Sequence, residues 1–299
     1  MGSAYPTPAA FDRALKSAVR ATGGNPGEGY RQALRDRFLC RVFHGDNTSF
    51  VLKGGSGMLA RIPNARATRD LDFATARRPS VEEALKEMRR AAELDLGDWC
   101  RFELTHSKES LDENGYSRLL KIRFATYIGA EEKDPILIDL SLDCFPTLPP
   151  ERITPANRID IKGVEACDYL AYPLPDQLAD KLCAIMERQP GGWPSSRMKD
   201  LVDVVIYALN KDFELDQLSA AVICECSKRG MDVPQAFEAP LEWRSGFSSF
   251  AKRCGLPDEY VAFEHASQLA SRFFNPALGQ DERTGTLWNH EALRWVAPA

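Results

Sequence analysis

The chain has 299 residues, a formal net charge of -5 and a pI near 5.6. This acidic balance excludes a non-specific nucleic-acid coat protein, which needs net positive charge. No segment approaches the roughly 20 consecutive apolar residues of a membrane helix, and the first residues lack the apolar core of a signal peptide, so we expect a cytoplasmic protein with no membrane partner.

The first half of the chain mixes helices and strands. Apolar spacing predicts two helices within Ala9–Phe43, separated by a glycine-rich turn at 23–27. A short strand at 49–52 ends at two glycines, and a short helix follows. The next predicted elements are a strand at 69–74, a helix at 80–94 and strands at 99–105, 118–127 and 135–142, the last two flanking a hairpin turn at 129–134.

A proline-rich segment at 146–150 precedes a mainly helical half. The predicted helices lie at 176–187, 198–211, 215–229 and 258–273. We therefore predict an α/β (α+β) protein. A mixed-sheet core with N-terminal helices would occupy residues 1–165, and a mostly helical C-terminal domain would occupy 166–299 and complete the active-site cleft.

The eight cysteines are scattered along the chain. A chain of this length needs no disulfide framework, and scattered cysteines are typical of buried free thiols. Cys224 and Cys226 form the one close pair, and no Cys or His pair stands at zinc-finger spacing. The sequence therefore does not predict a structural zinc site.

Two aspartates occupy a predicted strand. Asp70 and Asp72 are two residues apart, so their side chains point to the same face. Aspartate is a poor strand former, and a pair inside an apolar strand therefore calls for an explanation. Carboxylate oxygens are the ligands that Mg²⁺ prefers. We predict that Asp70 and Asp72 bind a divalent metal; the alternative is a solvated acidic face.

A third carboxylate lies in the strand predicted at 135–142. Asp139 and Asp143 share one face of this strand, and Asp143 is nearer its end. If the strand pairs beside the one that carries Asp70, Asp139 can reach the same metal. Asp143 is the second candidate, and either residue could instead face solvent at a sheet edge.

Gly54-Gly55-Ser56 follows a strand and opens a helix. Glycines allow a tight turn and close approach to a ligand, and the free N–H groups at a helix start attract phosphate. The segment differs from a Walker loop because Lys53 precedes the glycines. We predict a phosphate cradle with the Ser56 hydroxyl as an added donor, although such a sequence is also a common turn.

Five arginines lie near these motifs in the sequence: Arg61, Arg66, Arg69, Arg77 and Arg78. They fit a polyanionic ligand such as RNA, and the alternative is a solvated basic face.

The helical half contains a second cluster of charged residues. Lys181 lies at the margin of an apolar helical stripe, where a lysine usually extends to solvent. Asp200 and Asp203 share a stripe of the next helix with Arg197. Taken alone, this pattern also fits a surface ladder of salt bridges.

Together these segments resemble the AbiEii-like toxin family of the nucleotidyltransferase superfamily, which includes the mycobacterial MenT tRNA nucleotidyltransferase toxins. The matching motifs are Lys53-Gly54-Gly55-Ser56, Pro63, Arg66, Asp70-Leu71-Asp72, Asp180-Lys181-Leu182 and Arg197-x-x-Asp200-Leu201-Val202-Asp203. The resemblance spans roughly residues 50–210.

The resemblance implies a nucleotidyltransferase-type fold and a set of roles. Asp70 and Asp72 would hold Mg²⁺ (or Mn²⁺), and Gly55 and Ser56 would contact the phosphates of a nucleoside triphosphate. Lys181 would neutralise the triphosphate. Asp203 would complete the site with Asp200 beside it. Residues assigned to nucleotide binding by their place in the motif are Lys53, Gly54, Arg66 and Thr68, the last standing where the family often has Ser or Thr.

The resemblance further implies a toxin that transfers a nucleotide, often a pyrimidine, to the 3′ end of tRNA and blocks translation. A cognate antitoxin protein would restrain it. Two alternatives remain open at this point: a transferase that acts on a small molecule or a protein hydroxyl, and a nucleotide-binding module without turnover.

Overall fold

A computed structural model of the chain describes residues 3–45, 47–63, 65–66, 68–111, 117–188, 191–279 and 286–297. The chain divides into two compact units. The first comprises Met1–Phe145 and Pro150–Tyr172, and the second comprises Pro146–Pro149 and Pro173–Ala299. No helix in the described residues is long and apolar enough to cross a membrane.

The first unit begins with two helices, α1 (Pro8–Ala21) and α2 (Pro26–Val42), as the sequence predicted. Each helix is capped by the residue before its N-terminal proline: the Thr7 hydroxyl accepts from Ala10 N–H, and the Asn25 side chain accepts from two backbone N–H groups. Proline fits this position because it lacks an N–H that the first turn would leave unpaired.

A seven-stranded mixed sheet follows in the described part of this unit, in the order β3-β4-β5-β2-β1-β7-β6. The strands are β1 (Phe50–Leu52), β2 (Leu71–Thr75), β3 (Cys100–Leu111), β4 (Arg118–Ile128), β5 (Glu131–Ser141), β6 (Glu151–Ile153) and β7 (Tyr169–Ala171). The pairs β2–β5 and β1–β7 are parallel, and the other neighbours are antiparallel. Helix α3 (Gly54–Arg61) follows β1, and α4 (Val81–Ala92) connects β2 to β3.

One face of the sheet forms the hydrophobic core. Phe73 of β2 and Leu140 of β5 are register partners and fully buried. From α2, the Phe38 ring packs on Phe102 and Phe124, each with ring centroids 5.2 Å apart. Because side chains alternate along a strand, the residues before these buried positions point to the opposite face.

The antiparallel strands β3, β4 and β5 extend beyond their predicted limits. Strand β3 continues past Thr105 to Leu111, and the predicted turn at 129–134 is reduced to Gly129 and Ala130. The added part of β3 is mostly exposed and polar, so its sequence lacks the apolar alternation that predicts a strand. The backbone ladder with β4 holds it.

The second unit contains the helices α5 (Leu174–Met186), α6 (Met198–Asn210), α7 (Leu215–Lys228), α8 (Arg244–Arg253) and α9 (Phe263–Phe274). Three short antiparallel strands, β8 (Phe213–Glu214), β9 (Leu287–Asn289) and β10 (Arg294–Val296), form a small sheet. The sequence predicted neither α8 nor this sheet. Trp288 of β9 is fully buried and donates its indole N–H to the Ala208 carbonyl at 2.9 Å.

A buried carboxylate connects α2 to the start of β3. The Asp98 side chain is fully buried and accepts hydrogen bonds from Arg37 Nε at 2.6 Å and from Arg41 Nη2 at 2.6 Å. Burial raises the pKa of Asp98, but the hydrogen bonds and charges of the two guanidinium groups outweigh burial and hold the pKa below its ordinary value.

We predict that Asp98→Ala destabilises the first unit by about 3–5 kcal/mol, because it leaves two buried guanidinium groups without their counter-charge. Urea unfolding measures the loss, with Asp95→Ala as the control because Asp95 is exposed. A depressed pKa in the folded state means that this stabilisation is present above the unfolded-state pKa and is lost as pH falls through the folded-state value. Equal unfolding midpoints for the two variants would contradict the assignment.

Candidate active site

The register of β2 and β5 brings two predicted metal ligands side by side. Asp72 and Asp139 are direct partners in this parallel pair, so their side chains lie on the same face, opposite the hydrophobic core. Two adjacent carboxylates repel each other, and a bound cation relieves the repulsion. The third predicted ligand, Asp70, stands one residue before β2 begins and follows the same alternation.

Two hydroxyl groups fix the backbone that carries the aspartates. Ser56 Oγ donates to the Asp70 carbonyl at 3.0 Å and accepts from Asp72 N–H at 3.3 Å. Thr68 Oγ1 donates to the same Asp70 carbonyl at 3.2 Å. Ser56 is buried. The contacts observed for Ser56 and Thr68 therefore position the aspartates, and a contact with nucleotide phosphate stays a prediction.

Gly54 and Gly55 lie against Asp72 at the start of α3. The Gly55 N–H donates to Asp72 Oδ2 at 3.0 Å. Gly54 has a φ of 58°, and a Cβ at this position would lie 2.5 Å from Asp72 Oδ2. The positive end of the helix dipole favours the carboxylate at this point. The predicted cradle thus positions a predicted metal ligand.

Lys53 and Arg66 lie next to these glycines. Lys53 N–H donates to the Asp72 carbonyl at 2.8 Å, and its ammonium group donates to Cys144 Sγ at 3.7 Å. Arg66 Nη1 would be 3.8 Å from a Cβ placed on Gly55. The structure therefore brings both predicted nucleotide-binding side chains close to the Gly54-Gly55 turn.

Arg35 is a supporting residue that the sequence analysis missed. Its Nη2 donates to the Arg69 carbonyl at 2.6 Å and so holds the segment immediately before Asp70. Arg35 belongs to α2, far from the motif in sequence, so no local pattern signals the contact.

The two candidates for the third carboxylate have different surroundings. Asp143 forms a bidentate pair with Arg118 at 2.9 and 3.0 Å. The hydrogen bond from Arg118 holds the pKa of Asp143 below its ordinary value. Asp139, by contrast, is the register partner of Asp72. Its position favours Asp139 over Asp143 as the metal ligand.

Three of the five arginines near the motif have partners outside it. Arg61 is buried, and its Nη2 donates to Glu151 at 3.0 Å and to the Tyr172 carbonyl at 2.9 Å. Arg77 pairs with Glu87, and the Arg78 guanidinium stacks on the Phe145 ring. Burial therefore removes Arg61 from any basic surface, whereas Arg77 and Arg78 are exposed.

A different basic row lies on the face that carries Asp139. Lys121 of β4 is the register partner of Asp139, and Lys108 of β3 is the partner of Lys121. Arg123, two residues further along β4, points to the same face and pairs with His106. All four side chains are exposed. The alternation in β4 was visible in the sequence, but its position beside Asp139 depends on strand pairing.

The second unit contains the other predicted site residues as a buried ion network. Lys181 Nζ lies 2.9 Å from Asp200 Oδ1 and 2.6 Å from Asp203 Oδ2, and Arg197 Nε lies 2.6 Å from Asp200 Oδ2. Lys181, Asp200 and Asp203 are 5%, 1% and 0% exposed. The expected extension of Lys181 to solvent and the alternative of a surface salt-bridge ladder are therefore both wrong.

The neighbouring charges determine the ionisation states of Lys181 and Asp200. Burial lowers the pKa of Lys181, but the two neighbouring carboxylates raise it above the ordinary lysine value. Burial raises the pKa of Asp200, and Lys181 and Arg197 lower it further than burial raises it. Both groups are therefore charged at neutral pH. The predicted contact of Lys181 with a triphosphate is not tested by these distances.

We predict that Gly54→Ala lowers the free energy of unfolding more than the same change at Gly230, which also has a left-handed backbone. Gly230 has a φ of 62° and no heavy atom within 4 Å of an added Cβ. Both variants carry the backbone cost of about 1–2 kcal/mol, and Gly54→Ala must also displace the Asp72 carboxylate, which adds about 1–3 kcal/mol. Chemical unfolding of both variants measures the difference, and equal losses would show that Asp72 moves freely.

We predict that Lys181→Ala destabilises the second unit by about 3–5 kcal/mol, because it leaves two buried carboxylates without their cation. Lys199→Ala is the matched control, since Lys199 is exposed on α6. Urea unfolding of both variants measures the difference in their free energies of unfolding. A Lys181→Ala protein as stable as the control would show that the network contributes nothing to folding and would leave Lys181 a purely functional residue.

Comparisons with known proteins identify the family of the chain. The sequence matches the family described as nucleotidyl transferase AbiEii toxin, Type IV TA system, over residues 37–269. No curated protein sequence matches the chain significantly.

The chain was also compared with solved structures, and the similarity to MenT4 carries the fold assignment. MenT4, a nucleotidyltransferase toxin from Mycobacterium tuberculosis H37Rv, superposes with a TM-score of 0.56 at 15% identity and covers 90% of each chain. JHP933 from Helicobacter pylori gives a TM-score of 0.41 at 17% identity and covers 83% of this chain and 94% of its own. The mixed-sheet nucleotidyltransferase fold predicted from the sequence is confirmed. Since the family match spans most of the chain, the protein belongs to the AbiEii nucleotidyltransferase toxin family.

Proposed function

We propose that this protein is a toxin that transfers a nucleoside monophosphate from a nucleoside triphosphate to RNA, with the 3′ end of tRNA as the acceptor. The reaction is an in-line attack of the terminal hydroxyl on the α-phosphorus, with pyrophosphate as the leaving group. The nucleotidyltransferase family is established by the sequence match. The acceptor and the resulting block of translation rest on the resemblance of the motifs to tRNA-modifying members.

The observation that carries the proposal is the pairing of Asp72 with Asp139. Their oxygens form a hard donor set on an open face of the sheet, which suits Mg²⁺ or Mn²⁺. The bound metal would stabilise negative charge on the attacking and leaving oxygens. Asp70 would add the third carboxylate. Ser56 and Thr68 hold the backbone of Asp70, and Ser56 also holds the backbone of Asp72.

The nucleotide would bind next to the Gly54-Gly55 turn. Lys53 and Arg66 are the cations at this turn, and they fit the phosphates of a triphosphate. The resemblance assigns Lys181, Asp203 and Asp200 to nucleotide binding. In the second unit these three residues form the buried ion network described above.

The basic row beside the acidic pair favours an RNA acceptor over a cationic small molecule. Lys121, Lys108 and Arg123 are exposed on the face that carries Asp139. Phosphate contacts of this kind supply much of the affinity for RNA. An aminoglycoside, by contrast, would be repelled by them. A cytoplasmic location and restraint by a cognate antitoxin belong to the same proposal, since the family is part of a toxin–antitoxin system.

The proposal is tested by incubating the protein with Mg²⁺, total tRNA and each α-labelled nucleoside triphosphate in turn. We expect label in tRNA with at least one donor. Periodate-oxidised tRNA, which lacks the terminal cis-diol, should accept no label. Label in a protein or small molecule and none in tRNA would overturn the acceptor, and nucleotide binding with no product from any acceptor would reduce the protein to a binding module.

We predict that Asp139→Asn lowers the transfer rate by about 100-fold or more, because a metal ligand is removed from the site of charge development. Asp143→Asn is the matched control: Asp143 lies two residues beyond the end of β5 and pairs with Arg118 instead. It should retain most of the activity. Initial rates with labelled donor measure both, and equal rates for the two variants would remove Asp139 from the metal site.

A further inference from the structure

Three side chains with metal-binding groups meet at a second position in the first unit. His44 follows the end of α2, and Glu165 and Cys167 precede β7. One ligand atom from each of the three residues lies within 4.8 Å of the other two. His44 and Glu165 are exposed and Cys167 is half-buried, so the position is open to solvent.

Buried contacts fix the backbone that presents these side chains. Arg37 Nη1 donates to the Glu165 carbonyl at 2.5 Å, and Arg37 itself is held by Asp98. The Cys167 thiol donates to the Cys40 carbonyl at 3.7 Å, one helical turn before His44. In the metal-free protein the segment at 165–167 is therefore attached to α2 by two contacts besides the cluster itself, and the contact from the Cys167 thiol is given up when that thiol loses its proton.

The donor set is typical of zinc. An imidazole nitrogen, a thiolate sulfur and a carboxylate oxygen are the three ligand types of protein zinc sites, and a fourth position can be filled by water. In tetrahedral coordination, neighbouring ligand atoms lie roughly 3.3–3.8 Å apart. The observed spacing requires only small side-chain rotations to reach these distances. The thiolate disfavours magnesium and calcium, which take oxygen ligands.

The cluster is separate from the proposed catalytic metal. Strands β1 and β7 run parallel. Cys167 comes before β7, whereas Lys53 and Gly54 come after β1. The two metal positions therefore lie toward opposite ends of this strand pair. A cation bound by His44, Glu165 and Cys167 would connect the end of α2 to the start of β7.

We propose that His44, Glu165 and Cys167 form a zinc site that stabilises the first unit and takes no part in nucleotide transfer. Binding releases the Cys167 thiol proton to solvent and leaves a thiolate on the metal. Because the ligands are far apart in the chain, the metal closes a long loop and stabilises the folded state.

Cobalt is the probe that tests this assignment, because a thiolate ligand gives Co²⁺ an intense near-ultraviolet charge-transfer band that oxygen ligands do not give. The reduced, metal-free full-length protein is titrated with Co²⁺ in excess Mg²⁺, which occupies oxygen-ligand sites. We expect the band to develop to one equivalent and to disappear when Zn²⁺ is added. Zn²⁺ should also raise the melting temperature.

His44→Ala is the main variant, since His44 is exposed and its loss leaves the core intact. It should weaken Co²⁺ binding at least about tenfold, and Cys167→Ser should abolish the band. Cys224→Ser and His265→Ala are the controls, as both residues lie in the second unit, and both should retain the band. A wild-type protein without the band, or an undiminished band in Cys167→Ser, would overturn the proposal.

Discussion

The pairing of strands β2 and β5 holds two carboxylates side by side, and the rest of the proposed site depends on this arrangement. Asp72 and Asp139 occupy the same register position in β2 and β5, and their repulsion must be offset by cations. The fold stabilises this arrangement from two directions. The Gly55 N–H donates to Asp72, and the opposite side of both strands is locked into the core by Phe73 and Leu140. A one-residue slip of either strand would turn its aspartate into the core, so the register is strongly specified.

Much of this site could be predicted from local sequence. The spacing of Asp70 and Asp72 and the glycines after β1 are short-range signals, and they predict the local geometry because strand alternation and glycine conformation act locally. The choice between Asp139 and Asp143 is different. It depends on which residue of β5 pairs with Asp72, and that pairing joins segments far apart in the chain. The mixed sheet and the helical half were predicted for the same local reasons, whereas the short strands β6 and β7 were not.

Where the surroundings of a side chain were not predicted from local sequence, the reason is a contact with a residue far away in the chain. Arg61 was predicted to contribute to a basic cluster, but it is buried and forms an ion pair with Glu151. Lys181 looked like a solvent-facing lysine, and the carboxylates of α6 enclose it. The side chains of His44, Glu165 and Cys167 likewise approach one another without zinc-finger spacing, because they come from segments far apart in the chain. The local sequence pattern predicts the helix or strand that carries a side chain. The tertiary structure determines which residues that side chain contacts.

Binding of Mn²⁺ in the presence of a non-hydrolysable nucleoside triphosphate tests the central claim most directly, and electron paramagnetic resonance of free Mn²⁺ follows it without requiring turnover. The account predicts nucleotide-dependent Mn²⁺ binding to the wild-type protein. It predicts affinity at least about tenfold weaker when Asp72 or Asp139 is changed to Asn, and unchanged affinity for Asp143→Asn. Equal Mn²⁺ affinity in all four proteins would contradict the claim that these paired carboxylates form the metal site.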